Sequence, residues 1–135
     1  MTFTLDERLA KDTFVVGDLP LSRLLLMNDS RWPWFILVPR RENLAELTDL
    51  PAQDRAILIE EAAAVASFLQ AYAKPDKVNV GALGNIVRQL HLHAVARFVG
   101  DPGWPAPVWG HGVASPYQDA DAPMLIETAR SRLNL

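Results

Sequence analysis

The sequence predicts a chain that mixes β-strands with one long helix, and three stretches carry that expectation. Gln89–Arg97 alternates polar and apolar residues from Gln89 to Ala94, the period of a strand with one buried face. Phe35–Val38 is a continuous apolar run closed by Pro39, as in a central strand. Between them, residues 52–73 place Leu58, Ala62, Val65, Phe68 or Leu69, and Tyr72 three or four apart, the stripe of a helix seated on a core. A length of 135 residues suits one domain, 1–135, able to bury about two-thirds of its unfolded surface.

The remaining elements follow in order. Residues 5–11 are mixed in charge, made of good helix formers, and read as a short N-terminal helix. Residues 12–18 read as a strand ended by a Gly17-Asp18 turn. Pro20 interrupts the chain before Leu24–Met27, a buried strand that runs into the small polar turn Asn28-Asp29-Ser30. Arg40 and Arg41 follow Pro39, and Asn43–Leu47 suits a helical turn. Asp49 and Pro51 suit the start of the long helix, and Pro75 ends it because proline cannot donate the next ladder bond. Val78–Val80 is a short strand, after which a loop holding Gly81 and Gly84 returns the chain to Gln89. Residues 100–112 are dense in Pro, Gly and Trp and predict an ordered, irregular loop. The tail from about 119 to 133 reads as a helix with acidic residues early and arginines late, matching the helix dipole.

Composition excludes several function classes. A net charge of −3 provides no global basic field for a nucleic-acid polymer. There is no cysteine, hence no disulfide and no thiolate chemistry. The charged first fifteen residues lack a signal-peptide pattern, and no uninterrupted apolar run nears the ~18 residues of a membrane span. A cytoplasmic protein without a membrane partner is the expectation.

The chemistry concentrates on the alternating run. Leu90, Leu92 and Ala94 point into a core, while Gln89, His91 and His93 point to the opposite, open face, with neighbours about 6–7 Å apart. Two imidazoles side by side are poor space-fillers, so the strand presents a site. This run resembles the signature of the histidine-triad (HIT) superfamily, His-φ-His-φ-His-φ-φ with φ apolar, Gln89 standing at the first histidine. Asn79-Val80-Gly81-Ala82-Leu83-Gly84-Asn85-Ile86-Val87 is similar to that family's Asn-x-Gly…Gly-Gln-x-Val approach, and Phe35–Pro39 to its apolar strand ending on proline. The resemblance covers roughly residues 25 to 98.

The resemblance implies an α+β fold, an antiparallel sheet with the 52–73 helix on one face, and a two-fold homodimer whose sheets join. It implies a nucleotide hydrolase or transferase without a cofactor, in which His91 attacks the α-phosphorus of a small nucleotide and forms a nucleotidyl-histidine intermediate. A neutral imidazole suits that task when its other nitrogen is held by a fixed acceptor. His93 would contact the phosphate and help manage the leaving group's proton. Gln89 can orient but cannot titrate near neutrality, although the galactose-1-phosphate uridylyltransferases carry a glutamine elsewhere in the triad and remain catalytic. Gly84 and Asn85 stand where the family touches phosphate, Asn28 where it binds ribose hydroxyls, and Asn79 on the phosphate side. Arg97 follows the motif, as a phosphate-balancing group or as a solvated strand-end residue.

Two other readings stay open. Because Gln89 cannot titrate, the protein could be a nucleotide sensor that keeps the pocket without turnover. Alternatively His91, His93 and His111 could share a zinc ion, although no metal is the expectation. Trp104 and Trp109 are candidates for the site wall or a subunit interface.

Overall fold

The computed structural model describes residues 2–135. In chain order the elements are α1 (Glu7–Asp12), β1 (Thr13–Asp18), β2 (Ser22–Met27), β3 (Trp34–Pro39), a 3-10 turn (Leu47–Asp49), α2 (Ala52–Ala73), β4 (Lys77–Gly81), β5 (Leu92–Arg97) and α3 (Asp121–Leu133). The strands form one sheet in the order β1-β2-β3-β5-β4, antiparallel at every pairing. The fold is therefore the α+β arrangement expected, with β3 at the centre and β5 between β3 and β4.

Helix α2 occupies the span its periodicity predicts. Its last residue is followed by Lys74 in the left-handed region at φ 50°, and then by Pro75. Leu58, Ala62, Val65, Phe68 and Leu69 are buried, whereas Tyr72 is 45% exposed and stacks on Phe68. The stripe also holds a group that periodicity passes over. Buried Glu61 accepts hydrogen bonds from the backbone N–H groups of Leu21 (2.7 Å) and Ser22 (3.1 Å), fixing the start of β2 against the helix. An 18-residue window of α2 reaches a mean hydropathy of 1.3, long and apolar enough by composition to cross a membrane. Here its apolar stripe is the core face.

The main core joins Leu24, Leu26, Phe35, Leu37, Leu92, Ala94 and Ala96 of the sheet to α2 and α3. The opposite face differs from its expectation. Instead of lying open, it carries a second apolar cluster of Leu25, Ile36, Val38, Val95, Trp32 and Trp34, covered by Leu9 of α1 and Val108 of the Trp-rich loop. Phe3, Leu5 and Trp109 pack at its edge. All six residues of β5 are consequently buried.

Strand β5 begins at Leu92, later than the alternation suggests. Its pairing with β3 stops at Leu37↔Leu92, and the Leu90 N–H instead donates to the Leu44 carbonyl, 2.9 Å away in the loop before α2. Residues 89–91 thus leave the sheet and form the rim of the site.

Candidate active site

His91 sits at this rim, and its ring is oriented by the backbone. Nδ1 lies 2.6 Å from the Gln89 carbonyl oxygen. A carbonyl only accepts, so Nδ1 carries a proton, and in the neutral ring the lone pair is the one on Nε2. The ring lines a groove with Gln89, Leu83, Gly84, Glu46 and Thr48. Gly84 adopts φ +74°, the left-handed region that glycine enters without penalty, and bends the β4–β5 loop along the groove.

His93 is held the opposite way round. Trp34 and His93 project to the same sheet face, one pairing step apart on the diagonal, because Trp34 pairs with Val95 and Ile36 with His93. The Trp34 Nε1–H donates to His93 Nδ1 at 3.0 Å. An indole N–H can only donate, so His93 Nδ1 must accept, and its proton resides on Nε2. The ring is 5% exposed, tilted against Trp34 and edge-on to Trp109, with centroids 5.7 and 5.2 Å away. Across β4, Gly81 pairs with His93, and a Cβ there would just touch the Trp109 ring at 3.5 Å. The two imidazoles lie 4.9 Å apart, centroid to centroid.

Burial, helped by the neighbouring His91, lowers the His93 pKa from 6.5 to about 3. The sign of the linkage follows. Between these values the unfolded chain binds a proton that the folded protein refuses, so stability is full above pH 6.5 and is lost as pH falls toward 3. The unfolding free energy from urea titrations should fall on acidification with a slope of up to about 1.4 kcal/mol per pH unit, and His93→Gln should flatten it. The aspartates held low by arginines, such as Asp18 beside Arg23, begin to contribute only below about pH 5, so the upper part of the window belongs to His93.

The other sequence-predicted residues are divided among three places. The Gln89 side chain does not face the histidines as a catalytic group: Oε1 accepts from the Asp6 N–H (2.8 Å) and Nε2 donates to the Thr4 carbonyl (2.9 Å). It straps the N-terminal segment to the His91 rim, and only its backbone carbonyl serves the site. Asn28 accepts from the Tyr117 N–H at 2.9 Å and lines a separate cavity of about 380 Å³ with Asp29, Arg31, Trp34 and His111. Asn85 is exposed outside both.

Arg97 and Asn79 form the third place. Arg97 is 1% exposed, so it is not a solvated strand-end residue. It makes a bidentate pair with Asp101 at 2.9 and 3.1 Å, donates to Asn79 Oδ1 at 2.9 Å and to the Ala106 carbonyl at 2.8 Å, and lies over the Trp32 and Trp104 rings. Burial alone would raise Asp101, but Arg97 and the Phe98 and Gly103 N–H groups hold its carboxyl far below the usual range. These partners engage the guanidinium from several sides and anchor the Trp-rich loop. His111 packs on Trp32 in the second cavity, and no group of three metal-ligating side chains converges among the described residues.

The family model of the HIT domain matches residues 8–100. This chain belongs to the HIT family. Solved structures agree over nearly the whole length. A histidine triad protein from Sinorhizobium meliloti 1021 is 47% identical with a TM-score of 0.95, covering 97% of both chains. One from Marinobacter aquaeolei VT8 is 42% identical with a TM-score of 0.96, covering 99% of this chain and 98% of its own. One from Bradyrhizobium japonicum is 40% identical with a TM-score of 0.96, covering 98% and 99%. No curated protein matches the chain. HIT membership supports a nucleotide-binding or hydrolase-type function in general terms.

Two functional neighbours escaped the sequence reading of this HIT protein. Trp34 reads only as the lead into an apolar strand. Asp101 reads only as part of the irregular loop at 100–112. The alternation of β3 puts Trp34 on one face with Ile36 and Val38, yet only the β3–β5 register shows that this is the histidine face. Trp109, one of two suggested wall residues, does cover His93, with its Nε1–H buried and unpartnered.

Proposed function

We propose that this HIT protein cleaves or transfers at the α-phosphate of a nucleoside phosphate derivative, with His91 as the nucleophile. One observation carries this reading: the two adjacent histidines are fixed in opposite tautomers. The Gln89 carbonyl leaves His91 with an open lone pair at Nε2, and the Trp34 N–H leaves His93 with a donor at Nε2. A lone pair beside a fixed N–H is the pairing that attack on phosphorus requires. The first forms the P–N bond, and the second stabilises charge growing on a phosphoryl oxygen. The Gly84 turn supports phosphate approach along the same groove. Attack needs no titrating group at position 89, because orientation of His91 comes from the backbone, and this favours the enzyme over the sensor.

The protein would act in the cytoplasm as a homodimer of joined sheets, and sedimentation at about twice 15.0 kDa is the expected result. The test of function is a panel of dinucleoside polyphosphates, nucleotide sugars and nucleoside phosphoramidates. Release of a nucleoside monophosphate, or its transfer to an acceptor, with a nucleotidyl adduct trapped on His91 is expected. Saturable binding with neither product nor adduct would overturn the reading in favour of the sensor.

A further inference from the structure

Trp34 does more than fill space, because its N–H occupies the one nitrogen through which His93 could gain a proton. We propose that Trp34 is a positioning residue that locks His93 as a neutral N–H donor, and that the site therefore takes substrates whose leaving group is a phosphate oxygen, not an amine. The proposal rests on the reading of His91 as nucleophile and specifies the bond that it breaks.

The argument from chemistry is an inventory of protons. To become an imidazolium, His93 would have to break the 3.0 Å bond from Trp34 and hold a charge in a site where the ring is 5% exposed. A neutral imidazole donates a hydrogen bond but does not surrender its N–H near pH 7. The one titratable ring in contact with it, His91, directs Nδ1–H at the Gln89 carbonyl and uses Nε2 in the attack. The Gln89 amide is tied to Thr4 and Asp6. Glu46, on the groove wall, adds a carboxylate, an acceptor-only group. Thr48, on the same wall, adds a hydroxyl, which donates a hydrogen bond but keeps its proton near pH 7. No imidazolium or other ready acid stands on this wall to protonate a departing group.

The step then balances only for a leaving group stable as an anion. The His91 Nε2 lone pair forms a bond to the α-phosphorus while the bond from phosphorus to the bridging oxygen breaks. That electron pair departs on a phosphate, whose growing charge is met by the His93 N–H. Water, or an acceptor phosphate, next attacks phosphorus and returns the P–N pair to Nε2. When water is used, its proton passes to solvent. An amine leaving without a proton would depart as an amide anion, at a prohibitive cost.

The experiment compares wild type with Trp34→Phe, which keeps an aromatic ring and removes the donor. The substrates are a dinucleoside polyphosphate and an alkyl phosphoramidate of the same nucleoside. Wild type is expected to favour the polyphosphate in kcat/KM by about 100-fold or more, the usual contribution of general acid catalysis, and Trp34→Phe to narrow that ratio by about tenfold or more. Nitrogen-15 spectra of the His93 ring supply a readout independent of turnover. They should show neutral Nε2–H from pH 8 to 5 in wild type and a titrating ring in the variant. A wild-type His93 that is cationic or protonated on Nδ1 at pH 7, or equal rates on both substrates, would falsify the proposal. No release from either substrate, with the tautomer as described, would remove the nucleophile reading and the leaving-group assignment while leaving the Trp34 lock intact.

Discussion

His91→Ala is expected to lower nucleotide turnover by about four to six orders of magnitude, the loss seen when a covalent nucleophile is deleted. The prediction is this large because no second imidazole is placed to take over the attack. His93 presents an N–H toward its free side, the Gln89 amide is bound to the N-terminal segment, and His111 lies in another cavity. Affinity should change far less than turnover, since the Gly84 turn and the groove wall remain. Measurement of kcat beside nucleotide Kd by calorimetry separates the two. A variant that keeps more than about a tenth of wild-type turnover would exclude covalent catalysis at His91, because deletion of a nucleophile does not spare rate to that degree. Gln89→His bears on a separate matter. The new ring would lose the hydrogen bonds to Thr4 and Asp6 while leaving the backbone carbonyl behind His91.

The second large effect concerns stability. Arg97→Ala should cost about 3–5 kcal/mol, the range for a buried pair that loses one partner. That is a sizeable share of the roughly 5–15 kcal/mol that holds a domain together. The cause is Asp101, 4% exposed at its side chain, which would be left charged without its bidentate partner, while the Trp32 and Trp104 rings would lose the guanidinium that lies over them. Arg97→Lys should recover only part, because an ammonium cannot span both carboxylate oxygens and the Ala106 carbonyl. The denaturant midpoint and m-value measure it. A loss below about 1 kcal/mol, as for an exposed ion pair, accompanied by a raised nucleotide KM would return Arg97 to the substrate.

Arg97 illustrates where sequence reading stops. An arginine at a strand end suggests solvent or phosphate, because charge is rarely buried unless it is paired. Its pairing needs Asp101 from the following turn, Asn79 from β4 and the Ala106 carbonyl from the Trp-rich loop, and only the folded chain assembles them. Gln89 is similar. Its partners Thr4 and Asp6 lie more than eighty residues away, so nothing local indicated that its amide was already engaged. The covered histidine face has the same origin, since Leu9 and Val108 reach it from opposite ends of the sequence.

The sequence by itself determined the five strands in outline, the span of α2 from Ala52 to Ala73, and the side of β5 that His93 takes, opposite Leu92 and Ala94, while His91 falls on the rim just before β5. These are properties of near neighbours, written in periods of two and 3.6 residues. Tertiary structure alone decided which nitrogen of each histidine carries its proton. That choice rests on a carbonyl freed where β5 loses its partner and on an indole donated across the β3–β5 register, and no local pattern encodes either.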